Sequence, residues 1–193
     1  MPAQAMREAC LRSFLALLAE ASSYRSIDLA AVAAHAGVPL SVLRTVCAST
    51  DDLLAAFFRD TDQRVLADAA PADEPAPESR AERLFAVLMC RLTVLEPHRA
   101  AVATLSRSIR RDPLLALRML HLSAISQRWM LASAGQPCTG LSGAMRARGL
   151  ALMFAATVEV WLRDDDPTHR RTMDFLAAEL AKGERWLKRL DRE

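Results

Sequence analysis

The chain has almost no lysine. Of its 25 basic residues only Lys182 and Lys188 are lysines, so nearly all of its positive charge is guanidinium. The formal balance of +2 excludes a generically basic nucleic-acid binder and leaves any such role to a specific surface. That balance is unevenly placed. Residues 1–66 hold six arginines (Arg7, Arg12, Arg25, Arg44, Arg59, Arg64) against seven acids, and the excess lies in the rest of the chain. Glycine is scarce, at six residues, and β-branched residues are few, which argues against sheet. Cysteine is limited to Cys10, Cys47, Cys90 and Cys138, too far apart for a C-x-x-C metal or redox pair. The N-terminal apolar stretch is broken by Arg7, Glu8, Arg12 and Glu20, which suits an amphipathic helix and not a secretory leader. The most apolar window, Leu150 to Leu162, is interrupted by Glu159 and falls short of a membrane span. Reduced thiols in the cytoplasm are the expectation.

Apolar residues, at 52% of the chain, recur at helical spacing almost throughout. Leu11, Phe14, Leu15 and Leu18 follow i, i+3, i+4, i+7 in a first helix over about Gln4–Ser22. A short second helix starts after Asp28, a good N-cap, and stops at Gly37. Pro39 opens a third over Leu40–Val46, and Ser49 or Thr50 caps a fourth whose first turn carries Asp51 and Asp52. Ala69–Ser79, with Pro71, Pro75 and Pro77, reads as a linker or long loop. Helices then follow near Arg80–Leu95, His98–Arg110, Pro113–Ala134, Leu141–Arg163 and Thr168–Leu190, the last with Asp166 as N-cap and Pro167 at the first helical position. The sum is an all-α chain of about nine helices.

Two short helices joined by Ala36-Gly37-Val38-Pro39 make a helix-turn-helix. In such a unit the second helix can lie in the DNA major groove, its first residues near base edges. Here these are Leu40, Ser41, Arg44 and Thr45. Arg44 suits phosphate or guanine, and the hydroxyls suit phosphate. Helix-Gly-helix turns also pack in proteins that bind no nucleic acid.

The segment from Tyr24 through Asp28-Leu29-Ala30-Ala31-Val32 to Ala36-Gly37-Val38 resembles the helix-turn-helix of TetR-type transcriptional regulators. Chain length, the nine helices and the acidic start of the fourth helix (Asp51, then Leu53-Leu54) are similar too. The resemblance implies a DNA-binding unit over residues 1–50. It also implies a ligand-binding and dimerisation domain over 51–193, which takes a small apolar ligand and pairs through its last two helices. After the turn this family usually has Ser, a residue such as Lys, then Gly, and later Tyr, Phe and Lys. This chain has Pro39, Leu40, Ser41, then Arg44, Cys47 and Thr50 at those places, so Arg44 and Thr50 stand where the family's tyrosine and lysine contact phosphate, and the resemblance implies Thr50 as a further phosphate or edge contact without the lysine's charge. Thr157, Trp161, Asp164, Thr172 and Phe175-Leu176 resemble the end of the ubiquinone-biosynthesis accessory proteins, which keep a TetR-like fold and bind lipid. Arg83 to Met89 and Pro97-His98-Arg99 are similar to bacterial relatives of that group. This implies a second reading, a lipid-binding accessory protein that has lost DNA binding.

Met89, Met119, Met130 and Met153, with Trp129, Phe154 and Trp161, either line an adaptable apolar pocket or fill a core. His121 near Trp129 is placed to donate a hydrogen bond inside such a cavity. His98 and His121 have no ligand partners at helical spacing, so no metal site is expected. Glu159 and Arg163 stand at i, i+4 as an ion pair, and Arg107, Arg110 and Arg111 sit where a helix C-terminus favours cations. In the final helix Met173, Leu176, Leu180, Gly183, Leu187 and Leu190 form one stripe, a packing seam within the chain or across a homodimer. No nucleophile motif or phosphate loop occurs. Neither catalysis nor a cofactor is expected.

Overall fold

The structure, a computed structural model, describes residues 3–68, 79–136 and 139–190, without the side chains of residues 3, 184 and 186–190. The expected linker lies outside the described residues except for Ser79. Among those described there are nine α-helices and no strand: α1 (Ala3–Glu20), α2 (Leu29–Ala36), α3 (Leu40–Val46), α4 (Thr50–Asp68), α5 (Arg80–Leu95), α6 (Arg99–Ile109), α7 (Pro113–Ser133), α8 (Gly140–Trp161) and α9 (Arg170–Leu190). Two 3-10 turns, Tyr24–Ser26 and Glu96–His98, precede α2 and α6. No single described helix is long and apolar enough to cross a membrane.

The helix limits follow local chemistry. Asp28 caps α2, its carboxylate accepting the Ala31 N–H at 2.7 Å. Gly37 ends α2 in the left-handed region at φ 66°, and the Val38 N–H returns to the Ala33 carbonyl at 3.0 Å. Ser49 and Asp52 form a reciprocal capping box at the head of α4, Ser49 Oγ accepting the Asp52 N–H at 3.3 Å and Asp52 Oδ2 accepting the Ser49 N–H at 3.1 Å.

The start of α9 differs from the expectation. Asp166 accepts both the N–H and the hydroxyl of Thr168, at 2.9 and 2.8 Å, and so closes a tight turn in place of a helix cap. Pro167 lies in that turn, His169 takes φ 49°, and the helix begins at Arg170. The cap comes from the buried Asp164, which accepts the Thr172 N–H at 2.9 Å and its hydroxyl at 2.6 Å.

The packing forms two compact units, residues 1–61 with 95–122 and residues 62–94 with 123–193. The stretch 1–50, read from sequence as a domain, thus shares its unit with α6 and the first part of α7. In this first unit Phe14 and Leu18 of α1, Val32 of α2, Leu43 of α3, Leu53 and Leu54 of α4 and Leu105 of α6 are buried together with Tyr24. Tyr24 meets Phe14 edge to face at 6.3 Å, and His98 meets Phe57 likewise at 5.5 Å. In the second unit Leu88 and Leu92 of α5, Met130 of α7, Phe154 and Trp161 of α8 and Leu176 of α9 are buried.

Leu43 is fully buried while its neighbour on α3, Leu40, is half exposed. Leu43→Ala is expected to cost about 2–5 kcal/mol in chemical denaturation. Leu40→Ala is expected to stay within about 0.5 kcal/mol of the parent. Equal losses would mean that α3 packs through a different face.

Candidate functional site

The second helix of the helix-turn-helix is short and strongly sided. Leu43 anchors α3 inward, and Leu40, Ser41, Arg44 and Thr45 are all exposed. Four of the five residues expected at a DNA interface therefore share one solvent-facing surface. Arg44 has no hydrogen bond or ion pair among the described residues, so its fork of donors is uncommitted. Thr45 donates its hydroxyl proton to the Val42 carbonyl at 2.7 Å, leaving its oxygen as an acceptor. Thr50 stands apart from this surface. It is half-buried, with Oγ1 at 3.4 Å from the Tyr24 hydroxyl. Cys47, the other departure, is buried under α3 with Sγ at 3.8 Å from the Leu43 carbonyl.

The acids of the N-terminal stretch have other tasks. Asp28 and Asp52 are helix caps. Asp51 accepts the Tyr24 hydroxyl at 2.6 Å and pairs with Arg118 of α7. Asp62 belongs to the second unit. The first unit taken whole has ten arginines against eight acids, so the apparent deficit of residues 1–66 is not the charge that a ligand near α3 meets. Arg7 of α1 was not singled out from sequence. It is exposed and unpaired among the described residues, and together with Arg44 it acts electrostatically on the Cys47 thiol, against the stronger effect of burial. Its place near α3 depends on α1 packing, which no local pattern carries.

The helix-turn-helix is fastened within its unit by three polar ties. The Tyr24 N–H donates to Ser108 Oγ of α6 at 2.9 Å. Asp51 holds Arg118. Arg25 Nε donates to Asp112 Oδ2 at 2.6 Å, where Asp112 also caps α7 by accepting the Leu115 N–H at 3.1 Å.

The second unit holds a polar cluster that local patterns did not reveal. Asp62 of α4 and Arg91 of α5, both buried, form an ion pair, and the buried Ser126 of α7 donates its hydroxyl to the same carboxylate oxygen. The Arg91 guanidinium lies 5.7 Å from the centroid of the Phe154 ring. Burial pulls Arg91 below its ordinary pKa, and the Asp62 charge opposes that pull. Gln127, next to Ser126 in the chain, is fully buried, and neither its Oε1 nor its Nε2 has a hydrogen-bond partner among the described residues. An orphaned buried amide costs about 1–3 kcal/mol.

The residues expected to line a ligand pocket scatter. Phe154 and Trp161 are buried in the second unit, and Met89 and Met153 are half-buried there. Met119, half-buried, and His121, exposed, belong to the first unit. Trp129 is 55% exposed. His121 and Trp129 are exposed, and α7 carries apolar residues on every side, so its sequence pattern does not mark which side is inward.

The seam expected on α9 is also divided. Leu176 is fully buried within the chain, Leu180 is half-buried, Gly183 is exposed, and the Leu187 side chain lies outside the described residues. Among the described residues of the second unit the most exposed large apolar side chains are on α8: Leu141 at 78%, Met145 at 62% and Leu152 at 60%, with Gly149, Ala155 and Ala156 exposed on the same helix. The ion pair of Glu159 with Arg163 is present at 3.4 Å.

No family model matches the chain, and no curated protein matches it in sequence. Among solved structures it is similar to a TetR transcriptional regulator from Nitrosomonas europaea ATCC 19718, with 22% identity and a TM-score of 0.70 over 92% of this chain and 96% of that one. It is also similar to a TetR transcriptional regulator from Rhodococcus sp. RHA1, with 18% identity and a TM-score of 0.62 over 92% and 95% of the two chains. The chain thus has the fold of TetR transcriptional regulators.

Arg25 and the Leu115 N–H lower the Asp112 pKa from its ordinary 3.8 to about 2. A carboxylate depressed on folding stabilises fully above its unfolded pKa and loses that contribution as pH falls through the folded one. The stability gap between the parent and Asp112→Asn should therefore be constant above about pH 5 and shrink between about pH 4 and pH 2, read by denaturant midpoint. A gap independent of pH down to about pH 2 would rule out the pairing.

Proposed function

We propose that the chain is a TetR-like transcriptional regulator that binds operator DNA as a homodimer and responds to a small apolar ligand. The observation that carries this is the solvent-facing surface of α3, Leu40-Ser41 and Thr45 with the uncommitted Arg44, on a fold shared with two transcriptional regulators. Residues 1–50 act as the reader. Arg44 reaches a guanine edge or a phosphate, Ser41 and Thr45 meet the backbone, Leu40 makes apolar contact with a base, and Thr50 supports the reader through Tyr24. Arg7 adds a second cation beside α3.

Residues 51–193 bind ligand and dimerise. The pairing surface is the α8 line of Leu141, Met145 and Leu152, where Gly149, Ala155 and Ala156 permit close helix approach, joined by the exposed Ala177, Ala178, Ala181 and Gly183 of α9. A two-fold dimer sets two α3 helices against half-sites about one DNA turn apart. Ligand weakens DNA binding by favouring a different separation of the readers, to the extent that it binds that state more tightly. The protein works in the cytoplasm and carries out no catalysis.

One observation favours the second reading, a lipid-binding accessory protein without DNA binding: Cys47 is buried, and Thr50 is half-buried with its hydroxyl oxygen beside the Tyr24 hydroxyl. Selection of genomic DNA by the purified protein at two salt concentrations separates the two. Regulation predicts enriched operator fragments with salt-dependent retention. The accessory reading predicts none, together with an extractable isoprenoid or acyl chain. On an enriched fragment, Arg44→Ala should weaken binding about tenfold or more and flatten the salt slope by about one per reader. Unchanged affinity would remove Arg44 from the interface. Leu152→Glu with Met145→Glu should turn a dimer into a monomer in sedimentation, and a dimer that survives the pair would move the interface off α8.

A further inference from the structure

We propose that the buried amide of Gln127 reads the head group of the ligand in the second unit, and that it selects a neutral head with donor and acceptor side by side, a primary carboxamide, over a charged one. The inference rests on the reading that this unit binds a small molecule, and it names the chemistry of that molecule.

Gln127 is fully buried with both polar atoms idle. A primary amide brings two donors and an acceptor, and a native interior leaves few such groups unmatched. Folding alone favours leucine or methionine here, of similar volume and without the desolvation cost. The buried polar groups joined to Ser126, the residue before Gln127 in the chain, are committed to one another. Ser126 donates to Asp62, Asp62 neutralises Arg91, and Arg91 lies over Phe154. These contacts decide the charge of the missing partner. With Asp62 and Arg91 already cancelling, a carboxylate or ammonium head would be buried without a counter-ion, which is strongly unfavourable. A carboxamide brings no charge, and it completes Gln127 by donating to Oε1 and accepting from Nε2 in one planar, two-bond pair. The buried side chains of Leu88, Leu92, Met130 and Phe154 give the same unit a largely apolar interior, in which Asp164 and Thr172 are taken up by the α9 cap, so the body of the molecule is apolar too.

The test uses the full chain and three matched probe series, n-alkyl amides, carboxylates and amines of four to twelve carbons, followed by calorimetry at pH 7. At least one amide should bind tenfold or more tightly than the carboxylate and amine of equal length. Gln127→Leu should lose that preference and weaken amide binding at least tenfold. It should also raise the melting temperature of the unliganded protein, since an orphaned polar group has been removed. A structural role for Gln127 predicts the opposite shift. The proposal is overturned if no amide binds, if the three series bind equally, if Gln127→Leu leaves amide affinity intact, or if it lowers the melting temperature. DNA retardation measured in parallel keeps the two readings apart. DNA binding without amide binding defeats only this inference, and amide binding without DNA binding defeats the regulator while leaving the head-group reader in place.

Discussion

The helix-turn-helix depends on a core that the first fifty residues cannot close. One long and two short helices bury too little apolar surface to stand alone. Here Phe14 and Leu18 are covered by α6, whose Val102 and Leu105 are buried with them. The polar ties repeat the pattern. Tyr24 is fixed through its backbone to Ser108 and through its hydroxyl to Asp51, while Arg25 and Asp51 take partners more than sixty residues away. The orientation of α3 is thus set by contacts formed late in the sequence, and a displacement of α6 or of the start of α7 would reach the helix-turn-helix directly.

The same ties change the meaning of the local charge. Counted along the chain, residues 1–66 are short of positive charge. Counted in space, Asp51 and Asp112 face guanidinium groups and Asp28 and Asp52 face helix N-termini. The groups left with uncommitted donors on this unit include Arg7 and Arg44. Phosphate responds to the field at a surface, where screening removes more distant charges within about 10 Å at ordinary ionic strength. A window along the sequence is therefore a poor measure of that field when its acids are paired with cations outside the window.

Local rules made most of the fold legible. Asp28, Gly37 and Pro39 place α2 and α3 to the residue, because caps and turns act over three or four positions. The start of α9 was misplaced for a related reason. Asp166-Pro167 satisfies the rule for a helix start, yet Thr168 captures the Asp166 carboxylate and Asp164 takes over the cap. The site was legible only in part. The exposed surface of α3 followed from period and turn, whereas α7 and α8 are apolar around most of their circumference and gave no inward direction. Hence Trp129 and His121 are exposed where a pocket lining was expected, and Leu176, expected at a seam, is buried within the chain. The pairing of Asp62 with Arg91 and Ser126 joins three helices over separations of 29 and 64 residues, beyond any local pattern.

The structure also shows why the resemblance to lipid-binding accessory proteins does not itself separate the two readings. Thr157, Trp161 and Leu176 are fully buried, and Asp164 with Thr172 forms the cap that starts α9. These residues serve the join between α8 and α9, which any chain of this fold must build whatever it binds. Similarity at these positions follows from a shared architecture and carries little information about a ligand. The readings part where side chains have no structural task. On α3 that leaves Leu40, Ser41 and Arg44, exposed residues that the fold does not need, one of them an unpaired cation at the place where a helix-turn-helix meets DNA. These exposed residues of α3, and not the join of α8 with α9, are therefore where substitution separates the two readings.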